Sequence, residues 1–136
     1  RKIYVKNNLP LINTGGNVGA AAWMIADSVL GCKKIALLGM DFAYYLETKK
    51  ANTQYYGVLK KNFKIKYINQ FFRTIYNPIL KKRFYTDYVY LWYKRCFLEM
   101  LSIKNSNTYN CTGGGILFEK PLKLISLSLF CNRYLD

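Results

Sequence analysis

The run Asn13-Thr-Gly-Gly-Asn-Val-Gly19, an apolar-striped stretch after it, and then Lys34-Ile-Ala-Leu-Leu-Gly-Met-Asp41 together constrain this chain more than anything else in it. Val18, Ala21, Ala22, Ile25, Ala26, Val29 and Leu30 recur at i, i+3, i+4, i+7 spacing, which predicts one amphipathic helix. Gly31 stands where a C′ residue ends such a helix, and the small residues from Gly19 to Ala22 let it lie close to a sheet. Ile35-Ala-Leu-Leu38 is a short continuous apolar run, as in a parallel strand buried on both faces. Glycine turn, helix, buried strand and an acid at the strand's end make the α/β rhythm. In open α/β sheets, ligands bind at the carboxyl ends of strands and at helix N-termini. The block therefore predicts a site for an anionic ligand.

The chain has 136 residues, enough for one domain with its own core. It starts at Arg1 rather than Met and is read as the C-terminal part of a longer domain, with the N-terminal part missing. The longest stretch free of Lys and Arg, Asn7 to Cys32, carries Asn13, Asn17, Asp27 and two adjacent glycines. It makes a poor transmembrane helix, so a soluble, cytoplasmic protein is expected. The net charge of +14, with only seven acids, favours anionic partners such as nucleotides, sugar phosphates, nucleic acid or acidic membrane. The joint richness in Lys, Asn, Ile and Tyr also fits plain AT-rich coding bias. Histidine is absent, which removes mechanisms that need an imidazole base or ligand. Cys32, Cys96, Cys111 and Cys131 are widely spaced with no C-x-x-C, as expected of free thiols in a reducing compartment.

Elsewhere the pattern is less regular. Ile3-Tyr-Val5 reads as a short strand and Asn7-Asn-Leu-Pro10 as a turn. Residues 42–86 read as a basic-aromatic insertion or lid, partly helical from about Val58 to Phe72. A second helix is predicted over Asp87 to Ser102, with Val89, Trp92, Tyr93, Cys96, Phe97, Met100 and Leu101 on one face and Thr86 or Asp87 as its cap. Thr108-Tyr-Asn-Cys111 reads as a strand running into Thr112-Gly-Gly-Gly115, and Leu122 to Phe130 as either helix or strand.

Each candidate site motif has a plain alternative beside it. Thr14, Gly15, Gly16 and Asn17 can bring backbone and first-turn amides against a phosphate, or form an ordinary tight turn. Thr14 stands where the dinucleotide fingerprint needs its first glycine, and the G-K-[ST] ending of a P-loop is absent. Asp41 can hold Mg²⁺ or contact a sugar or base, or simply cap the next turn. Gly113, Gly114 and Gly115 allow either close approach to a ligand or loop flexibility. Lys60, Lys61, Lys64, Lys66, Arg73, Lys81, Lys82 and Arg83, interleaved with Tyr and Phe, can clamp a triphosphate, engage nucleic acid, or form a solvated lid. No nucleic-acid module signature is present.

The run NTGGNVGAAAWMIADSVLGCKKIALLGMDFAYY resembles the archaeal 6-hydroxymethylpterin diphosphokinase MptE-like domain family, which includes the bacterial motility accessory factors. The resemblance rests on Gly15-Gly16, Leu30-Gly31, the strand Ile35 to Leu38 and Gly39-Met-Asp41. A later Tyr-Thr-Asp87 and Asn110-Cys-Thr-Gly-Gly-Gly115 extend it over about residues 10–128. It implies a Rossmann-like three-layer α/β domain with a mostly parallel sheet, here partial, and a nucleotide-dependent transferase. The pterin branch transfers diphosphate from ATP to a hydroxymethyl acceptor with Mg²⁺. The motility-factor branch is glycosyltransferase-like and linked to nonulosonic sugars from CMP donors. The resemblance implies Thr14, Gly15, Gly16, Asn17 and, more distantly, Gly113 to Gly115 as nucleotide or substrate contacts. It implies Asp41 as a metal or nucleotide contact, with Asp87 more distant; in such a transferase Asp41 would be a catalytic, Mg²⁺-holding carboxylate and Asp87, in the absence of His, the carboxylate that deprotonates the acceptor hydroxyl. A non-enzymatic basic anion or nucleic-acid binder is the competing expectation.

Overall fold

A computed structural model describes residues 12–135; the short strand expected at Ile3–Val5 and the turn expected at Asn7–Pro10 fall outside the described residues. Helix α1 covers Val18–Met24 and widens into a π-helical turn over Ile25–Val29. Asn17 caps it, its side chain accepting from the Ala20 amide at 2.9 Å, and Gly31 follows with φ +66°. Strand β1 (Lys34–Leu37) pairs in parallel with β5 (Asn107–Asn110), and β5 pairs in parallel with β6 (Lys123–Leu124). The chain is thus a mixed α/β protein with a three-stranded parallel sheet.

The expectation of a strand buried on both faces holds only in part. Among the described strands β1 pairs only with β5; Ile35 and Ala36 are half-buried, and Leu38 lies past the strand end and is exposed. Ile35 and Leu37 pack into the main core and Ala36 against the Tyr109–Phe130 cluster on the opposite face, so both faces are covered in part and the cover stops before Leu38.

Residues 42–86 carry more regular structure than their sequence suggests. Strand β2 (Tyr44–Tyr45), a 3-10 turn (Lys50–Asn52), and helices α2 (Tyr56–Asn62) and α3 (Ile65–Ile68) lead through a second 3-10 turn (Asn69–Phe71) into a β-hairpin. The hairpin, β3 (Phe72–Asn77) with β4 (Lys82–Asp87), forms an antiparallel sheet in the order β2-β4-β3. Its turn is made by Asn77, whose Oδ1 accepts from the amides of Ile79 and Leu80 at 3.0 and 3.1 Å. Lys81 completes the turn in the left-handed region, φ +52°. The cross-strand pair Ile75 and Phe84 faces the core.

Helix α4 (Tyr88–Ser102) begins at Asp87, whose Oδ1 accepts from the Tyr90 amide at 2.9 Å. Its buried Phe97, Met100 and Leu101 join Trp23, Leu37, Phe42, Phe84, Ile116 and Leu117 in the main core. Trp23 meets Phe97 edge to face at 5.3 Å, while its indole N–H donates to Thr108 Oγ1 at 2.9 Å. Residues 122–130, ambiguous in sequence, divide between β6 and α5 (Leu127–Tyr134), which packs Phe130 and Tyr134 on Tyr109. Among the described residues no helix is long and apolar enough to cross a membrane.

Candidate functional site

A cleft of about 420 Å³ opens where the N-terminus of α1 meets the carboxyl end of β1. Gly16, Val18 and Gly19 form one side of it, and Gly39 to Phe42 a second. Tyr90 and Tyr93 of α4 supply a third, with Gln54 and Tyr55 reaching it from the segment before α2.

The glycine pair is dictated by packing. A Cβ on Gly16 (φ +80°) would lie 2.6 Å from the Trp92 ring, and one on Gly15 (φ +55°) would lie 2.7 Å from Met100 Sδ. Both residues let the turn lie against α4. Several polar groups of the turn are spent on the turn itself. The Gly15 amide donates to Asn13 Oδ1, the Asn17 amide to the Thr14 carbonyl, and the Asn17 side chain caps α1. Thr14 and Gly15 do not line the cleft; Gly16 and Asn17 do. Among the described residues the amides of Gly16, Val18 and Gly19 have no acceptor, as expected at a helix start, and all three residues line the cleft.

Asp41 is held by its backbone. Ile116 N–H donates to the Asp41 carbonyl at 2.9 Å, and the Gly39 amide donates to Thr112 Oγ1 at 2.9 Å. Gly115 (φ +82°) lies so close behind that a Cβ there would stand 2.3 Å from the Asp41 carbonyl oxygen. None of Gly113, Gly114 and Gly115 lines the cleft; Gly114 and Gly115 form the support behind Asp41, tied down by Asn77 Nδ2 donating to the Gly115 carbonyl at 2.9 Å, while Gly113 is exposed. The Asp41 side chain contrasts with this well-bonded backbone. Its Oδ1 is buried and accepts no hydrogen bond among the described residues, and burial pushes its carboxyl above the usual value.

Asp87 is brought near but not into the cleft. It is buried, with Oδ1 capping α4 and Oδ2 accepting from the Tyr44 hydroxyl at 3.2 Å. It acts as a positioning residue for the helix that presents Tyr90 and Tyr93. Tyr44 stacks on Tyr90 at 5.1 Å and accepts from the Gln54 amide at 3.2 Å. The Tyr90 hydroxyl donates to Gln54 Oε1 at 2.8 Å, and the Tyr55 hydroxyl to that of Tyr93 at 3.0 Å. Burial pushes the Tyr44 phenol upward, and burial followed by the hydrogen bond with Tyr93 pushes the Tyr55 phenol upward, so both stay neutral donors.

The sequence reading missed Phe42, Gln54, Tyr55, Tyr90 and Tyr93 as site residues. The i, i+3 spacing of Tyr90 and Tyr93 just past a capping Asp was the available signal; nothing local pointed to Gln54. The basic side chains from Lys60 to Arg83, expected to close over phosphates, do not line the cleft, and among the described residues no Lys or Arg does. Among the described residues no group of three or more Cys, Asp or Glu is placed to hold a metal ion, so an all-protein cage is not what the cleft offers. A single carboxylate with an unpartnered oxygen fits the other mode of Mg²⁺ binding, in which one acid and the substrate's phosphates share the ion. Neither family models, nor curated proteins, nor solved structures match this chain.

Proposed function

We propose that this cleft is the phosphate-handling site of a nucleotide-dependent transferase. The domain would be Rossmann-like and similar to the MptE-like diphosphokinases, moving diphosphate from ATP to a hydroxymethyl acceptor in the cytoplasm. The observation that carries this reading is the meeting, at a parallel strand's carboxyl end, of the unpartnered Asp41 carboxylate with the free amides of Gly16, Val18 and Gly19. The amides would take phosphate oxygens. Asp41 would hold Mg²⁺, which would supply charge neutralisation between carboxylate and phosphate where none of the described basic side chains stands. Transfer of this kind depends on positioning more than on covalent catalysis, so the absence of His is no obstacle. Tyr55, Tyr90 and Tyr93 offer aromatic and hydroxyl contacts to the nucleoside or acceptor.

A second reading, a glycosyltransferase using a CMP-activated sugar, is favoured by the wall of Tyr hydroxyls and Gln54, which suits a polyhydroxylated ligand. Calorimetric titration of the full chain with ATP and with CMP, each with and without Mg²⁺, separates the two. The diphosphokinase reading expects Mg²⁺-dependent ATP binding that falls at least about tenfold in Asp41→Asn. Preference for CMP moves the assignment to sugar transfer. Binding of neither removes the nucleotide site.

A further inference from the structure

From Thr48 to Thr86 the chain carries ten Lys and Arg residues and no Asp or Glu. All ten are exposed, and the two ion pairs found among the described residues, Lys94–Glu119 and Arg95–Glu99, involve none of them. The positive charge is therefore concentrated on one lobe and left unneutralised by the protein itself. Within it, the corner between α2 and α3 places Lys60, Lys61, Lys64 and Lys66 beside side chains that a solvated surface does not call for. Val58 is 60 % exposed, Phe63 45 % and Ile65 66 %.

We infer that the α2–α3 corner docks on an anionic lipid membrane, with Val58 and Ile65 entering the interface and the four lysines resting among the headgroups. Lysines attract acidic lipid and can extend their charged ends past a shallowly inserted apolar tip. Single-stranded nucleic acid, the other polyanion of comparable charge, fits less well. It gains from free aromatic faces, and the lobe's exposed rings already have company. Lys66 lies over Tyr67 at 4.9 Å, Arg83 over Tyr76 at 5.7 Å, and Phe63 packs on Phe71 at 4.6 Å. The groups left free are aliphatic, and a bilayer rewards burying those where a base does not. This surface is separate from the cleft and does not depend on what the cleft binds.

The test is co-sedimentation of the full chain with phosphatidylcholine vesicles and with the same vesicles containing phosphatidylserine, beside a poly(U) titration at matched salt. Binding to the anionic vesicles alone, weakened about tenfold or more by Val58→Ser with Ile65→Ser, is expected. Ile65→Trp should tighten it, which gives a readout even if the serine pair perturbs folding. The proposal is overturned if the anionic vesicles are not bound, or if vesicle binding ignores the residue at 65. Tighter binding to poly(U), with the same serine pair leaving both affinities unchanged, also overturns it and assigns the lobe to nucleic acid.

Discussion

Two carboxylates sit at opposite ends of α1 and differ in what surrounds them. Asp27, in the π-helical last turn, is buried and saturated: it accepts from the amides of Asn105 and Ser106 at 3.1 and 2.8 Å and from the Ser28 hydroxyl at 3.1 Å. Burial raises its pKa, but the hydrogen bonds from Ser106, Ser28 and the Asn105 amide outweigh that and leave it below the usual 3.8. Asp41, beside the first turn, has its Oδ1 buried with no donor, and burial alone acts on it, upward. One acid type at two ends of one helix therefore serves two ends. Asp27 ties the loop before β5 to the helix, while Asp41 keeps binding capacity that the fold does not use.

The largest effect should come from the support behind Asp41. Gly115→Ala must place a methyl against the Asp41 backbone in a left-handed conformation, and chemical denaturation should show a loss of more than about 3 kcal/mol or no folded protein. A mild effect would mean that Asp41 is loosely held and the contrast with Asp27 is overstated. Next, Asp27→Ala strips the Asn105 and Ser106 amides of their acceptor and should cost about 2–3 kcal/mol. Because the folded pKa of Asp27 is depressed, its contribution is complete above the ordinary value of 3.8. It is lost as pH falls through the lower folded value, so wild type and variant should converge in acid. The smallest effect should have the opposite sign. Asp41 has a raised folded pKa, so what it contributes to stability is present at low pH and lost as pH rises through that value. Asp41→Asn should therefore raise the neutral-pH stability slightly, by about 0.5–1 kcal/mol, while weakening the proposed ATP binding at least about tenfold. Destabilisation by Asp41→Asn to the extent of Asp27→Ala would erase the distinction between the two acids.

Much of the scaffold was legible in the chain. The apolar spacing from Val18 to Leu30 marks α1, Gly31 its stop and Asp87 the cap of α4, because helix periodicity and capping are local properties. The hairpin at 72–87 was hidden because its outer face keeps Tyr76, Arg83 and Thr74 exposed while Phe72 and Tyr85 are covered by neighbours distant in sequence. Alternation is blurred where tertiary contacts cover half of a face. The site was legible in part. Asp41 and the glycine turn could be found from their place beside strand and helix ends, but Gln54 and Tyr55 come from a segment with no ligand signature.

The sequence by itself determined where helices start and stop, that a glycine pair precedes α1, and that an acid closes the β1 run. Only the tertiary structure decided what those features are for. It set Gly114 and Gly115 behind Asp41 as its support, spent Asp87 on capping α4, and set Tyr90 and Tyr93 across from α1. Capping and periodicity depend on neighbours a few residues away, whereas burial and hydrogen-bond satisfaction depend on groups brought together from across the chain. That difference decides which of two buried carboxylates is left without a partner.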